Sequence, residues 1–184
     1  NTTGTQNVAV GAFALDASTT ANNNTAVGTS ALSANTTGTH NTAIGDQALT
    51  DSTTGTENVA IGHASLFENT TGGNNNGIGW HALTSNTTGS SNVAIGTAAA
   101  NKNTTGSYNN ALGQDALGNN TTGDRNIAIG YSALDGPDTE NDNIAIGYDA
   151  LGITTSGIKN VAVGFNALGD NTTGSDNTAL GYNC

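Results

Sequence analysis

Apolar and polar positions recur along this chain with a period of 17 residues, with no insertion or deletion from one end to the other. One period reads Asn41-Thr42-Ala43-Ile44-Gly45, two variable residues, the pair Ala48-Leu49, then a polar run. A short run of Ala and Val, Ile or Leu between Asn and Gly predicts a strand. The polar run, most often Asn-Thr-Thr-Gly as at 35–38, predicts a turn. A helix fits poorly, because each unit carries glycines and several β-branched residues. Short strands broken by turns, two strand-like pieces per unit, remain as the expectation.

The columns of the repeat are strict. Glycine stands at Gly11, Gly28, Gly45, Gly62, Gly79, Gly96, Gly113, Gly130, Gly147, Gly164 and Gly181. Four residues before each stands an asparagine: Asn7, Asn24, Asn41, Asn58, Asn75, Asn92, Asn109, Asn126, Asn143, Asn160 and Asn177. Val, Ile or Leu precedes every one of these glycines, and Ala precedes that residue except at Gly77. Ala-Leu follows the glycine by three and four places, with Ser65 and Ala100 as single exceptions. Self-similarity this regular is the mark of a repeat architecture. The expected fold is all-β: residues 1–184 form one array, a β-solenoid or parallel β-roll of eleven 17-residue coils. Like positions then stack at roughly 4.8 Å, giving a rod about 50 Å long. The Asn column becomes a ladder of side-chain amides, as in stacked cross-β structures. The repeated Gly takes a corner needing positive φ or close backbone approach. The second Gly, in Asn-Thr-Thr-Gly, suits a type II or related turn. The two Thr form hydroxyl ladders.

Ala9 and Val10 are neighbours, so in a strand they face opposite ways. Both columns stay apolar, and a strand apolar on both faces is buried on both. One face fills the coil and the other needs a partner, for which another copy of the chain is the expected occupant. Per coil, one Val/Ile/Leu, one Leu and two Ala are little apolar surface against the entropy of ordering 17 residues. That too argues for a homo-oligomer, with symmetric closure as the default.

Composition narrows the function. Only 9% of residues are charged and the formal net charge is −11, which disfavours nucleic acid and anionic membranes as partners. Polar low-complexity composition often means disorder, but disorder needs no register. Cys184 is the only cysteine, so no internal disulfide can form. No apolar run reaches membrane-span length, so no direct membrane insertion is expected. The chain begins without Met and shows no signal peptide, which suggests a piece of something longer.

The stretches Asn7–Gly11 (NVAVG), Asn41–Gly45 (NTAIG), Asn92–Gly96 (NVAIG) and Asn126–Gly130 (NIAIG) resemble the head repeats of trimeric autotransporter adhesins of the YadA-like type. Similar repeats occur in fibre proteins of bacteriophages and other viruses. The resemblance covers residues 1–184. It implies left-handed parallel β-rolls packed as homotrimers, with the Asn-to-Gly stretch as inner strand and the Val/Ile/Leu and Ala columns facing core and trimer axis. The unit here is longer than in those heads and the Asn-Thr-Thr-Gly loop is not a usual head feature. No coiled-coil stalk, anchor barrel or fibre chaperone lies within the chain.

Chemistry is sparse. His40, His63 and His81 occupy three different columns, so stacking is not expected to gather them, and exposed loop histidines are favoured over a metal site. No Ser/His/Asp spacing, paired cysteines or phosphate-binding glycine loop occurs. One unit replaces Asn-Thr-Thr-Gly with residues 135–143, holding Asp135, Asp138, Glu140 and Asp142. Alternating oxygen ligands could hold calcium; a solvated acidic loop turned by Pro137 is the favoured reading. No other cofactor is expected. The position after the repeated Gly becomes aromatic: Trp80 in the middle, then Tyr131, Tyr148, Phe165 and Tyr182 in the last four units. Stacked coils make this an aromatic ladder. It either binds a glycan or receptor surface, since aromatics are enriched at binding hot spots, or packs on itself and a neighbouring chain; the second is favoured. Asn-x-Thr sequons at Asn35, Asn69, Asn86, Asn103, Asn120 and Asn171 read as turn residues, or as glycan acceptors in a eukaryotic secretory setting.

The expected function is a structural or adhesive fibre segment: a rigid rod on a cell surface or virion, extracellular, presenting variable columns to a host receptor or glycan. The alternative is ice binding through Thr ladders. There the adjacent Thr36 and Thr37 face opposite ways if extended, so two flat ranks are not maintained. An enzyme is not expected, because no convergent carboxylate pair is visible.

Overall fold

The computed structural model describes residues 2–137 and 140–184. Each coil contributes one three-residue strand: β1 Val8–Val10, β2 Thr25–Val27, β3 Thr42–Ile44, β4 Val59–Ile61, β5 Asn76–Ile78, β6 Val93–Ile95, β7 Asn110–Leu112, β8 Ile127–Ile129, β9 Ile144–Ile146, β10 Val161–Val163 and β11 Thr178–Leu180. They form a single sheet in chain order, all pairs parallel. Residues 17 apart pair throughout, as Ala43 with Ala60 and Ala162 with Ala179. The result is a β-solenoid of about ten turns, with no helix among the described residues.

The pleat sorts the two apolar columns. The middle residue of each strand points inward, and Ala26, Ala43, Ala60, Ala94, Ala128 and Ala145 are fully buried. Opposite them lie the Ala-Leu pairs, with Leu32, Leu49, Leu66, Leu83, Leu117, Leu134 and Leu151 also fully buried. The core of each coil is therefore one Leu and two Ala. The Val/Ile/Leu column, counted with the core on sequence grounds, lies outside it.

The second strand-like piece is absent. After the strand, the chain runs through residues that alternate in and out of the left-handed region. Gln47 has φ 58°, Leu49 φ 55° and Glu57 φ 59°, and the same three columns repeat this in coil after coil. Non-glycine residues enter this region at a steric cost. Here the conformation lets each N–H reach the adjacent coil: Gln47 donates to the Thr29 carbonyl (2.9 Å), Leu49 to Ser65 (2.9 Å) and Glu57 to Thr39 (3.0 Å). Backbone hydrogen bonds thus join the coils on the non-strand side too, which buried peptide groups require.

Both glycine columns are confirmed as special, for different reasons. Gly45 has φ 138°, and a Cβ there would sit 2.5 Å from the Gly62 carbonyl oxygen of the next coil. Gly55, in the second column, has no positive φ, so the type II expectation fails; a Cβ there would meet the Gly72 carbonyl at 2.7 Å and Ser52 Oγ at 2.9 Å. Crowding alone selects glycine in that column.

The Asn ladder exists, but its rungs run mainly from side chain to backbone. Each Oδ1 accepts the backbone N–H of the next Asn in the column, at 2.9 Å for Asn24 to Asn41. From Asn24 to Asn160, Nδ2 donates to a carbonyl in the column of the second glycine, at 2.8 Å for Asn41 to Gly55, with Glu140 standing in for glycine opposite Asn126. Direct amide–amide rungs supplement this at Asn58, Asn92, Asn160 and Asn177. Asp lacks the donor and a hydrocarbon lacks both groups, so this column admits only Asn.

A second Asn ladder was hidden in the turn. Asn69, Asn86, Asn103 and Asn120 are fully buried, and Nδ2 of Asn86, Asn103 and Asn120 each donates to the Oδ1 of the Asn one coil before at 2.8 Å. Asn35 is buried in the same column. Buried side-chain nitrogens in this ladder leave no room for a sugar on the folded chain. The first Thr of each turn donates its hydroxyl to the corresponding backbone carbonyl of the next coil, as Thr36 to Thr53 at 3.0 Å. The second Thr is exposed, giving one open Thr rank along the rod.

Two of the three exceptions in the core columns, Ser65 and Gly77, meet each other. A Cβ on Gly77 would lie 2.6 Å from Ser65 Oγ, and that hydroxyl donates to the Gly77 carbonyl at 2.9 Å. The extra oxygen at 65 occupies the space of the methyl missing at 77, so packing density is kept.

Candidate interaction surface

The outward side of the sheet is the chain's most distinctive surface. Within β1–β11 there is no charged residue. Strand residues flanking the buried Ala point outward, and the Val/Ile/Leu column stays open along the rod: Ile44 is 39% exposed, Leu112 46% and Ile129 36%. Isolated exposed aliphatics are ordinary, but an unbroken column on a parallel sheet is a contiguous patch of the kind that marks an interaction site. Parallel sheets are as a rule covered on both faces.

Next to this column, one residue past the Gly corner, lie the aromatic candidates. Tyr131, Tyr148, Phe165 and Tyr182 stack at 5.1, 5.1 and 5.0 Å between ring centroids, tilted by 14°, 8° and 12°. Their faces cover one another and their edges remain open. Trp80 stands apart from them, its indole 6.5 Å from the His63 ring and 4.0 Å from His81.

The three histidines are not gathered as a set, but two of them meet. His63 and His81 lie in different columns, but those columns are neighbours and the coils adjacent, so the rings come within 5.4 Å. His81 is held below its usual range, first by burial and then by His63. His63 Nε2 lies 3.4 Å from Asp46 Oδ2. His40 sits elsewhere, its Nε2 3.3 Å from Asn23 Nδ2. Ala64, between the larger Gln47 and His81 in its column, opens a shallow groove of about 280 Å³ walled by Phe67, Glu68 and Thr84.

The acidic unit is dispersed. Asp142 accepts from Arg125 Nε at 2.7 Å and Nη2 at 3.0 Å, and that hydrogen bond holds its carboxyl below the usual range. Glu140 takes the position of a second-column glycine; its carbonyl accepts Asn126 Nδ2 at 2.8 Å and the residue is buried. Asp135 accepts from Asn119 Nδ2 at 3.1 Å. Burial, then the charge of Asp115, pushes its carboxyl up to about 6. Asp138 lies outside the described residues. Among the described residues, no group of three or more His, Cys, Asp or Glu is placed to hold a metal ion.

Along the column five residues before the Gly, Arg125, Asp142, Lys159 and Asp176 alternate in sign over the last four coils. Comparison of the chain with protein-family models, with curated proteins and with solved structures finds no match.

Proposed function

We propose that this chain is a structural and adhesive fibre segment: a rigid rod on a cell surface or virion, which associates with copies of itself through the outer face of its sheet. The uncharged, apolar, solvent-open column along that face carries the proposal. Apolar burial is the main favourable term in such association, and a single chain leaves this column more than a third exposed at Ile44, Ile95 and Ile129. The finer reading, left-handed coils packed as a homotrimer around a shared axis, follows the resemblance to trimeric adhesin heads. In that arrangement the variable columns stay outside and meet the host receptor or glycan. A rod of uniform cross-section needs no reaction pocket, which agrees with a non-enzymatic role. Light scattering on the purified chain tests the proposal: a mass of three chains is the expected result, and a stable single chain at micromolar concentration defeats it.

A further inference from the structure

Lys102, Asn119 and Asp135 come from three successive coils and lie side by side. Lys102 and Asn119 share one column, and Lys102 Nζ donates to Asn119 Oδ1 at 2.5 Å. Asn119 Nδ2, in turn, donates to Asp135 Oδ1 at 3.1 Å and to the Asp135 carbonyl at 2.7 Å. An amine is thus held against a carboxamide whose leaving nitrogen is held against a carboxyl group. The coils beneath are fixed by backbone bonds, including Lys102 N–H to the Gly118 carbonyl at 3.2 Å. Such placement turns an amine-on-amide reaction into a unimolecular one, with effective molarities of about 10⁵ M or more in well-oriented cases.

We propose that Lys102 and Asn119 join in an intramolecular isopeptide bond that cross-links adjacent coils, with Asp135 as the proton carrier. The lone pair of neutral Nζ adds to Cγ of Asn119. The Cγ–Nδ2 bond then breaks with its electron pair on nitrogen. Asp135 gives its proton to that nitrogen, which leaves as ammonia. The proton lost by Nζ restores the Asp135 carboxyl. One C–N bond forms and one breaks, so no oxidant or other co-reactant is needed. Asp135 suits the task because the half-buried carboxyl titrates at about 6, near the pH at which a general acid works best. Asp115 and burial sustain that value, while the Lys102 charge opposes it. The other lysine, Lys159, makes no such contact: its column continues to Asp142 and Asp176.

Electrospray mass measurement of the intact chain, followed by peptide mapping, tests this. After prolonged incubation near the pH at which Asp135 titrates, the chain should be lighter by one ammonia, about 17 Da. A branched peptide should join Lys102 to Asn119. Lys102→Arg keeps the charge at an exposed position and should abolish the loss. Asp135→Asn and Asn119→Ala should abolish it too, with circular dichroism matching the parent to show that the rod is formed. A parent chain that keeps its full sequence mass overturns the proposal. So does an ammonia loss that maps to another asparagine, as succinimide formation at Asn76-Gly77 would give, or one that survives in Lys102→Arg.

Discussion

In the coils of β2 to β4, the outward residues on either side of the buried Ala, with the residue past the corner, read Thr25, Val27, Thr29, then Thr42, Ile44, Asp46, then Val59, Ile61, His63. In the coils of β8 to β10 they read Ile127, Ile129, Tyr131, then Ile144, Ile146, Tyr148, then Val161, Val163, Phe165. The interiors of the two regions are the same: Ala43 and Ala145 are fully buried, as are Leu49 and Leu151. The exteriors differ in width. Toward the N-terminus one apolar column runs between flanks that are polar except at Val59; toward the C-terminus three apolar columns run together, edged by the alternating charges of Arg125, Asp142, Lys159 and Asp176. Each coil is held to the next by backbone bonds and inward-facing Asn, none of which depends on what points outward. Register therefore ties the interior columns to one residue type and leaves the exterior free. The same rod can carry a narrow apolar stripe at one end and a broad one at the other.

If the broad stripe is the stronger contact between copies, charges placed in it should do the most damage. Ile129→Asp with Ile146→Asp should weaken self-association by at least about 100-fold, equivalent to about 2.7 kcal/mol, because unpaired carboxylates would be buried against apolar surface. Val27→Asp with Ile44→Asp, beside polar flanks, should weaken it less. Sedimentation over a concentration series measures both; equal losses would erase the distinction between the two ends.

The interior makes the opposite demand. Asn41→Leu and Asn143→Leu remove the same bonds in the two regions, orphaning one backbone N–H and one carbonyl each. Buried unsatisfied groups cost about 1–3 kcal/mol apiece, so each variant should lose about 2–4 kcal/mol of stability. Denaturant midpoints that differ strongly between them would show that the interiors are not equivalent.

How much of this was legible depended on whether a residue type carries its own geometric signature. The Gly45 and Asn41 columns were readable because the period exposes them and their chemistry allows few roles. That Ala43 and Ile44 face opposite ways followed from the pleat; which of them faces inward did not. The left-handed turn at Leu49 left no trace, since leucine has no preference for positive φ and only bonding between coils explains it. Asn86 was read as a turn or sequon residue, because nothing local separates a turn asparagine from a buried ladder. His63 and His81 were kept apart by treating columns as isolated lines, although adjacent columns on adjacent coils touch. The Lys102–Asn119–Asp135 cluster was missed for the same reason: it crosses columns and coils, and no linear motif records it.

Ser65 and Gly77 test whether the interior stays uniform where its columns break. Gly77→Ala alone sets a methyl against Ser65 Oγ and should cost about 1–3 kcal/mol, as overpacking does. Adding Ser65→Ala recreates the Ala–Ala contact of the other coils, so the double variant should recover most of that loss. The two changes should therefore couple by about 1–3 kcal/mol in a double-mutant cycle. Additive effects would mean that the Ser65 hydroxyl and the Gly77 void are unrelated.

The smallest expected effect lies within the C-terminal region, just past β8. Asp135 has a folded-state carboxyl raised to about 6 from an ordinary 3.8, by burial first and by Asp115 second. A raised carboxyl favours the protonated form in the folded chain. Its contribution is therefore most favourable below the unfolded value and is lost as pH rises from about 4 through about 6. Asp115→Asn removes one of the charges that maintain the shift and leaves Lys102, Asn119 and Asp135 in place. The variant should match the parent near pH 4 and exceed it above pH 6, by less than about 1 kcal/mol, because the site is half open to solvent and screened. Thermal midpoints across that range measure the difference. A gap that is flat with pH would show that Asp115 acts on the fold by packing, and that Asp115 and Asp135 do not strain each other electrostatically.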